Sequence, residues 1–148
     1  GIMSEKMSRP MNKEEVANFL AKGRILKLAT IQKKKPHLIP IWYLYEDGKL
    51  FFCTSRTSKK IKNIENNNKI SACVDIGEWF YDLKYVTVEG KARILRQGDA
   101  KDIAEKIMVK YLGSIDDPNA KEYLNDPNII MVEITPTKIL SEDYTIED

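Results

Sequence analysis

The feature that most constrains the fold is a hairpin signal at residues 37–54, HLIPIWYLYEDGKLFFCT. Asp47-Gly48 separates two apolar segments, 37–46 and 49–54, and this dipeptide is typical of a tight turn between antiparallel strands. Pro40 in the first segment predicts an edge position or a bulge, because proline cannot donate a backbone hydrogen bond to a neighbouring strand. The segment therefore predicts two adjacent antiparallel strands.

Further segments have the same strand-like character, at 25–32, 69–76, 84–96 and 129–136. In the segment 84–96 the alternation of apolar and polar residues is interrupted at Gly90, which predicts a β-bulge. A sequential set of about six antiparallel strands usually closes into a small barrel, because closure removes exposed edges. We therefore expect a mainly β fold, an antiparallel barrel of about six strands with short α-helices at the N-terminus and in connections.

The first helix has clear boundaries. Asn12 can cap it, Glu15 completes a capping-box pattern, and Gly23 suits its C-terminal end. A later helix is predicted over 99–113, followed by a loop at 114–128. Since 148 residues are typical of one domain, we expect a tail at 1–11 and a single domain at 12–148.

Composition narrows the functional classes. The formal net charge of +2 does not favour nucleic-acid binding, and no apolar run reaches the roughly 20 residues of a membrane span. The start of the chain lacks the apolar core of a signal peptide, so we expect a cytoplasmic protein with Cys53 and Cys73 reduced. One histidine, His37, cannot form a zinc site with two scattered cysteines, so no structural metal is expected.

The most suggestive polar segment is CTSRTSKK, residues 53–60. A helix begins in it near Thr57 or Ser58, with Ile61 and Ile64 on one face and Lys60 and Asn63 on a neighbouring polar stripe. Lysines in the first helical turn oppose the helix dipole, so their presence there is favourable when an anion lies among them. Hydroxyls, free N–H groups and ammonium groups suit a phosphate, but spacing alone also fits a capped surface helix with solvated lysines, and it does not decide between the two.

The order of several short motifs resembles the pyridoxamine 5'-phosphate oxidase-like, FMN-binding split-barrel family. The later segments VTVEGKARIL and VEITPTKIL also resemble strands of that family, so the resemblance extends over nearly 12–140. The matching residues are Leu28-Ala29-Thr30, Pro36-His37, Pro40, Trp42, Phe52, Thr54, Ser58, Lys60 and Asn63.

This resemblance implies an FMN site. The residues that it implies around the cofactor phosphate are Thr54, Ser55, Ser58, Lys59, Lys60 and Asn63. It further implies that a strand containing Ile39, Pro40, Ile41 and Trp42 lies along the flavin ring. Trp79 or Phe80 would reach the ring that is bound mainly by the partner subunit.

The resemblance implies an FMN-dependent oxidoreductase acting on a small molecule. Two differences argue against pyridoxamine phosphate oxidase itself: that enzyme has Arg-Lys where this chain has Lys59-Lys60, and the C-terminal SEDYTIED lacks an arginine-bearing substrate segment. The alternatives left open are a deazaflavin-dependent reductase, for which the lysines at 33–35 would favour an acidic cofactor tail, and a non-catalytic flavin-binding or redox-sensing module. A nucleic-acid-binding barrel and haem ligation by His37 are further alternatives. No catalytic residue can be assigned.

The strand around residues 38–45 predicts a homodimer. Its two faces are both apolar, and a strand that is apolar on both faces is usually buried on both. We expect a second copy of the chain to cover one of the two faces, with two equivalent cofactor sites at the interface. One face carries Ile39, Ile41, Tyr43 and Tyr45, and the other carries Leu38, Pro40, Trp42 and Leu44.

Overall fold

A computed structural model of the chain describes residues 8–145. Its helices are α1 (Lys13–Lys22), α2 (Lys59–Asn66), α3 (Gln97–Leu112) and α4 (Pro118–Leu124). Its strands are β1 (Leu26–Gln32), β2 (Lys35–Ile41), β3 (Leu44–Glu46), β4 (Lys49–Ser55), β5 (Lys69–Ile76), β6 (Lys84–Leu95) and β7 (Ile129–Asp143).

The strands form one antiparallel sheet in the order β2-β1-β5-β6-β7-β4-β3. The two end strands, β2 and β3, are consecutive in the chain and are separated only by Trp42 and Tyr43. One continuous segment therefore supplies both edges of the sheet and brings them together. This arrangement confirms the predicted antiparallel split barrel, although it has seven strands where about six were expected, because the predicted strand at 37–46 is broken.

Tyr43 explains the break. Its side chain is completely buried, and its hydroxyl donates a hydrogen bond to the carbonyl of Leu20. Its backbone N–H donates to the hydroxyl of Tyr111, at 3.1 Å, and its carbonyl accepts from the ammonium of Lys110, at 2.9 Å. Because side chains of α3 bind these backbone groups, the chain leaves the β-ladder here without leaving buried polar groups unpaired.

The barrel interior is the main hydrophobic core, and α1 packs against it. Asn12 and Glu15 form the predicted capping box on α1. Gly23 ends this helix in an extended conformation, not the left-handed one common at helix ends, and a Cβ there would collide with the Tyr43 hydroxyl. The largest fully buried side chains in this core include Leu20, Leu26, Leu28, Tyr43, Leu50, Phe52, Val74, Val86 and Ile134.

A second hydrophobic cluster lies outside the barrel, where α3 and α4 cover β4 and β7. The segment 114–128 was predicted as a loop, which is wrong for its central part, 118–124. Asp117 caps α4 by accepting the N–H of Asn119, at 2.8 Å, and Pro118 begins the helix. The buried members of this cluster are Phe51, Ile103, Ile107, Met108, Ala120 and Met131.

The predicted hairpin turn and the predicted β-bulge are both confirmed. Asp47 and Gly48 both have positive φ, +51° and +77°, in the hairpin between β3 and β4. The register between β6 and β7 shifts at Glu89 and Gly90, where Thr137 is the extra residue on β7. Beyond that bulge β7 continues to Asp143, seven residues past the predicted end at 136.

The N-terminal segment contacts the end of β7. Arg9 and Asp143 exchange two backbone hydrogen bonds, at 3.1 and 2.8 Å, and the N–H of Met11 donates to the Ser141 hydroxyl at 2.8 Å. Residues 1–7 of the predicted tail and 146–148 of the predicted domain lie outside the described residues. Within 8–145 no helix has the length and apolar character needed to cross a membrane.

Candidate functional site

The candidate phosphate site lies where β4 turns into α2. Ser58 is the N-cap residue in an extended conformation, and its hydroxyl makes no capping bond to the helix. Instead it accepts a hydrogen bond from Thr54, at 3.3 Å, while the hydroxyls of Ser55 and Thr57 lie 3.1 Å apart. The first N–H groups of α2 have no acceptor within the helix, so hydroxyl and N–H donors are concentrated at one point.

The charge of this site is uncompensated. No acidic residue lies in the first turn of α2, and neither Lys59 nor Lys60 forms an ion pair within the described part of the chain. Partial burial lowers the pKa of Lys60. An ammonium that loses water without gaining a carboxylate favours the approach of an anion. Donors and charges together therefore fit a phosphate group.

Two predicted phosphate ligands face inward. Asn63 is only 4% exposed, and its amide nitrogen donates to the Thr30 hydroxyl of β1 at 3.0 Å. Thr54 is also buried. The polar stripe predicted for Lys60 and Asn63 is therefore wrong at Asn63, which ties α2 to the sheet. Contact of either inward-facing residue with a cofactor stays a prediction.

The predicted ring-binding strand is β2, at one edge of the sheet. One side of β2 pairs with β1, and its other side pairs with no strand among residues 8–145. Ile39 and Ile41 pack against the barrel core, whereas Leu38 and Pro40 are exposed on the outer face. Backbone groups on the unpaired side of β2 are available to a flat ligand.

Trp42, at the end of β2, is 43% exposed and stacks on Tyr111 of α3, with ring centroids 4.5 Å apart and planes at 2°. The guanidinium of Arg24 lies 4.5 Å from the centroid of the same Tyr111 ring. Sequence reasoning assigned no site role to Tyr111, Arg24 or Lys110. Burial and the neighbouring Arg24 lower the pKa of Lys110 to about 8.

Trp79 is not brought near α2 within one chain. It lies in the turn between β5 and β6, where Asp82 accepts its backbone N–H at 2.7 Å, and it stacks on Tyr81. This turn follows β5, whereas α2 precedes it, and eight residues of strand span about 26 Å. The predicted contact of Trp79 with a ring bound mainly by the partner subunit stays a prediction.

His37 pairs with Thr30 across β1 and β2, and its Nδ1 atom is enclosed without a hydrogen-bond partner among the described residues. Residues 8–145 contain no group of three or more His, Cys, Asp or Glu side chains suited to a metal ion. The candidate site therefore has two predicted ends, a polar, cationic one at α2 and a flat, aromatic one at Trp42.

The chain is similar to several known proteins. It is 32% identical over 128 residues to General stress protein 26 of Bacillus subtilis (strain 168), covering 86% of this chain and 85% of that protein. A conserved hypothetical protein of Mycobacterium tuberculosis has a crystal structure similar to this fold, with TM-score 0.82 and 27% identity over 90% of this chain and 86% of the other. An FAD-binding protein from Mesorhizobium loti has the same fold, with TM-score 0.73 and 21% identity over 93% and 98% of the two chains.

Residues 12–142 match the family described as pyridoxamine 5'-phosphate oxidase. This match spans most of the chain and includes both the β4–α2 turn and the edge strand β2. It confirms the resemblance seen in the motifs. The protein therefore belongs to the pyridoxamine 5'-phosphate oxidase family.

Proposed function

We propose that this protein binds FMN and acts as an oxidoreductase on a small molecule. The observation that carries the proposal is the β4–α2 turn, where Ser58, Lys59 and Lys60 place hydroxyl, N–H and ammonium donors at the start of one helix with no acidic residue in its first turn. The fold shared with an FAD-binding protein supports a flavin as the cofactor. Among flavins, FMN is favoured because its phosphate is terminal and matches a site that opens at a helix N-terminus.

The chain's residues would bind and orient the cofactor. The hydroxyl of Ser55, the ammonium groups of Lys59 and Lys60 and the first N–H groups of α2 would hold the phosphate. The free side of β2 and the ring of Trp42 would border the flavin ring. A bound flavin supplies the electron transfer, so no catalytic side chain is required for that step.

Lys60→Ala tests the phosphate site. We expect it to weaken FMN binding by about 1.5–3 kcal/mol, the scale of one charge-assisted hydrogen bond. Riboflavin lacks the phosphate, so its affinity for the wild type and the variant should be equal. Quenching of flavin fluorescence in a titration measures both dissociation constants.

Lys62→Ala is the matched control, because Lys62 lies on the same helix but is exposed and beyond its first turn. Unchanged FMN affinity in Lys60→Ala would identify the lysines as solvated surface residues. Binding of a deazaflavin cofactor without binding of FMN would favour the deazaflavin-dependent reductase instead.

The proposal includes a homodimer with one cofactor site per chain. Leu38 and Leu140 are 67% and 55% exposed on the outer face of the sheet, and they border a groove of about 360 Å³. Such exposed apolar surface is typical of a protein interface. A twofold dimer would also supply the Trp79 turn to the partner's ring. Light scattering at micromolar concentration tests the dimer, and a monomer that binds one FMN tightly would contradict the shared site.

An enzyme is distinguished from a non-catalytic flavin module by turnover. The flavin is reduced without oxygen, and candidate acceptors are then added one at a time. Reoxidation with release of a reduced product supports an oxidoreductase. Reoxidation by oxygen alone, with every acceptor unchanged, supports a flavin store or redox sensor.

A further inference from the structure

The break between β2 and β3 lies at the aromatic end of the candidate site and is held by α3. The Tyr111 hydroxyl accepts the Tyr43 N–H at 3.1 Å and donates to the Arg24 carbonyl at 2.6 Å. One hydroxyl therefore joins the broken strand to the start of β1. Both bonds depend on a side chain that lies 68 residues from Tyr43 in the sequence.

Lys110 completes this connection. Its ammonium donates to the Tyr43 carbonyl at 2.9 Å and lies 3.9 Å from the centroid of the Tyr43 ring. No carboxylate within residues 8–145 forms an ion pair with it. The Arg24 side chain donates to the Lys110 carbonyl at 3.2 Å. This bond joins α3 to the segment before β1 a second time. A half-buried ammonium without a carboxylate is held by these carbonyl and ring contacts.

The same group fixes the orientation of Trp42. Tyr111 covers one face of its ring almost in parallel, and Arg24 lies close to the Tyr111 ring. Because Trp42 is 43% exposed, part of its surface remains open at the end of β2. A stacked ring has fewer accessible rotamers than a free one, so the open surface is presented in one orientation.

We infer that Tyr111 and Lys110 are positioning residues of the cofactor site, which hold the backbone at the β2–β3 break and thereby fix residues 39–42 along the flavin ring. This inference rests on the proposed function. It assigns the ring end of the site to α3, whereas the phosphate end belongs to α2. The two ends should therefore respond separately to mutation.

The decisive measurement is the ratio of FMN to riboflavin affinity. Tyr111→Leu removes both the stack and the hydroxyl, and we expect it to weaken FMN and riboflavin by the same factor, about tenfold. Tyr111→Phe keeps the ring but loses the hydroxyl bonds, and Lys110→Met loses the ammonium contact, so about threefold is expected for each. Lys60→Ala should change the ratio, whereas these three variants should not. Lys101→Met, an exposed lysine on the same helix, is the control.

A second readout needs no flavin. In a Trp79→Phe background Trp42 is the remaining tryptophan, since the chain has two. Tyr111→Leu should increase acrylamide quenching of Trp42 fluorescence, and Tyr111→Phe should not. If Tyr111→Leu fails to fold, Tyr111→Phe decides the question, because it should weaken FMN binding and riboflavin binding by the same factor.

Each alternative result contradicts a defined claim. Wild-type protein that binds neither FMN nor riboflavin would overturn the proposed function and this inference with it. Flavin binding by the wild type that the Tyr111 and Lys110 variants leave unchanged would overturn the inference alone. Loss of FMN without loss of riboflavin in these variants would also overturn it, because α3 would then act at the phosphate.

Discussion

The outer surface of the barrel has two faces, of which one is covered by helices of the same chain and the other is not. On the covered face, formed by outward side chains of β4 and β7, α3 and α4 bury Phe51 and Met131 and half-bury Cys53. On the open face no helix within the described range lies over the groove, which is lined by Leu38, Leu140 and small side chains of the middle strands together with the charged Lys27, Glu89 and Lys138. Both faces are apolar in places, but only the first is completed within one chain.

We expect the two faces to contribute to different properties, the covered face to folding stability and the open face to dimer assembly. The helices that cover the first face also supply Tyr111 and Lys110, so they contact both the second core and the end of β2 at which we propose the cofactor ring. The open face combines exposed leucines with small side chains in the middle strands, which allow a flat surface to approach closely. We interpret the covered face as a source of folding stability and the open face as the site of dimerisation.

The largest expected effect is a loss of folding stability when a buried side chain of the covered face is truncated. Ile107 is fully buried between α3 and the sheet, so Ile107→Ala should reduce the free energy of unfolding by about 2–5 kcal/mol. Leu140→Ala on the open face should change the stability of the isolated subunit by less than about 0.5 kcal/mol. Urea unfolding at low protein concentration measures both. Equal losses would mean that the open face is packed within the chain.

A charge on the open face should have the next largest effect. Leu140→Glu replaces an exposed leucine of this groove with a carboxylate, which would lose its water at an interface at a large cost in free energy. We expect the dimer dissociation constant to rise at least about thirtyfold, or roughly 2 kcal/mol. Sedimentation over a concentration series measures the constant, with the exposed Thr135→Glu as a control on the same strand. A constant that does not move would place the interface elsewhere.

The smallest expected effect is a difference in reaction rate between the two cysteines, one on each face. Burial raises the pKa of Cys53 to about 12, and burial together with Asp75 raises the pKa of Cys73. Because the thiolate is the reactive form, Cys53 in a Cys73→Ala variant should react with a disulfide reagent at least about tenfold more slowly than Cys73 in a Cys53→Ala variant at pH 8.5. The reaction of Cys73 should slow further as protein concentration rises and dimers form. In urea the two thiols should react at equal rates, which excludes an intrinsic difference.

Much of the fold could be predicted because it depends on local patterns. The capping box on α1, the Asp47-Gly48 turn and the bulge at Gly90 are each set by residues close together in the sequence. The strand break was missed because Tyr43 is held by Tyr111, far along the chain. The helix α4 was missed because its seven residues hold a single apolar repeat, Ala120, Tyr123 and Leu124, between two Asp-Pro dipeptides that favour turns.

Only part of the candidate site could be predicted from the sequence. Hydroxyls and lysines at 54–60 were evident from composition, and the structure gathers Ser55, Ser58 and Lys60 at the start of α2. Helical spacing alone could not show that Asn63 turns toward Thr30, because that direction depends on how α2 packs against β1. The role of α3 at the aromatic end likewise depends on tertiary packing.

The continuity of β2 and β3 has a consequence for how the barrel forms. Joining the ends of a sheet usually requires distant parts of the chain to meet, but here the two edges are already linked through Trp42 and Tyr43. The entropic penalty of closure falls instead on the pairing of β4 with β7, in which Leu50 meets Ile134 across most of the barrel sequence. Folding should therefore be limited by the arrival of β7, and a chain that lacks this last strand would have both edges joined but no closed wall.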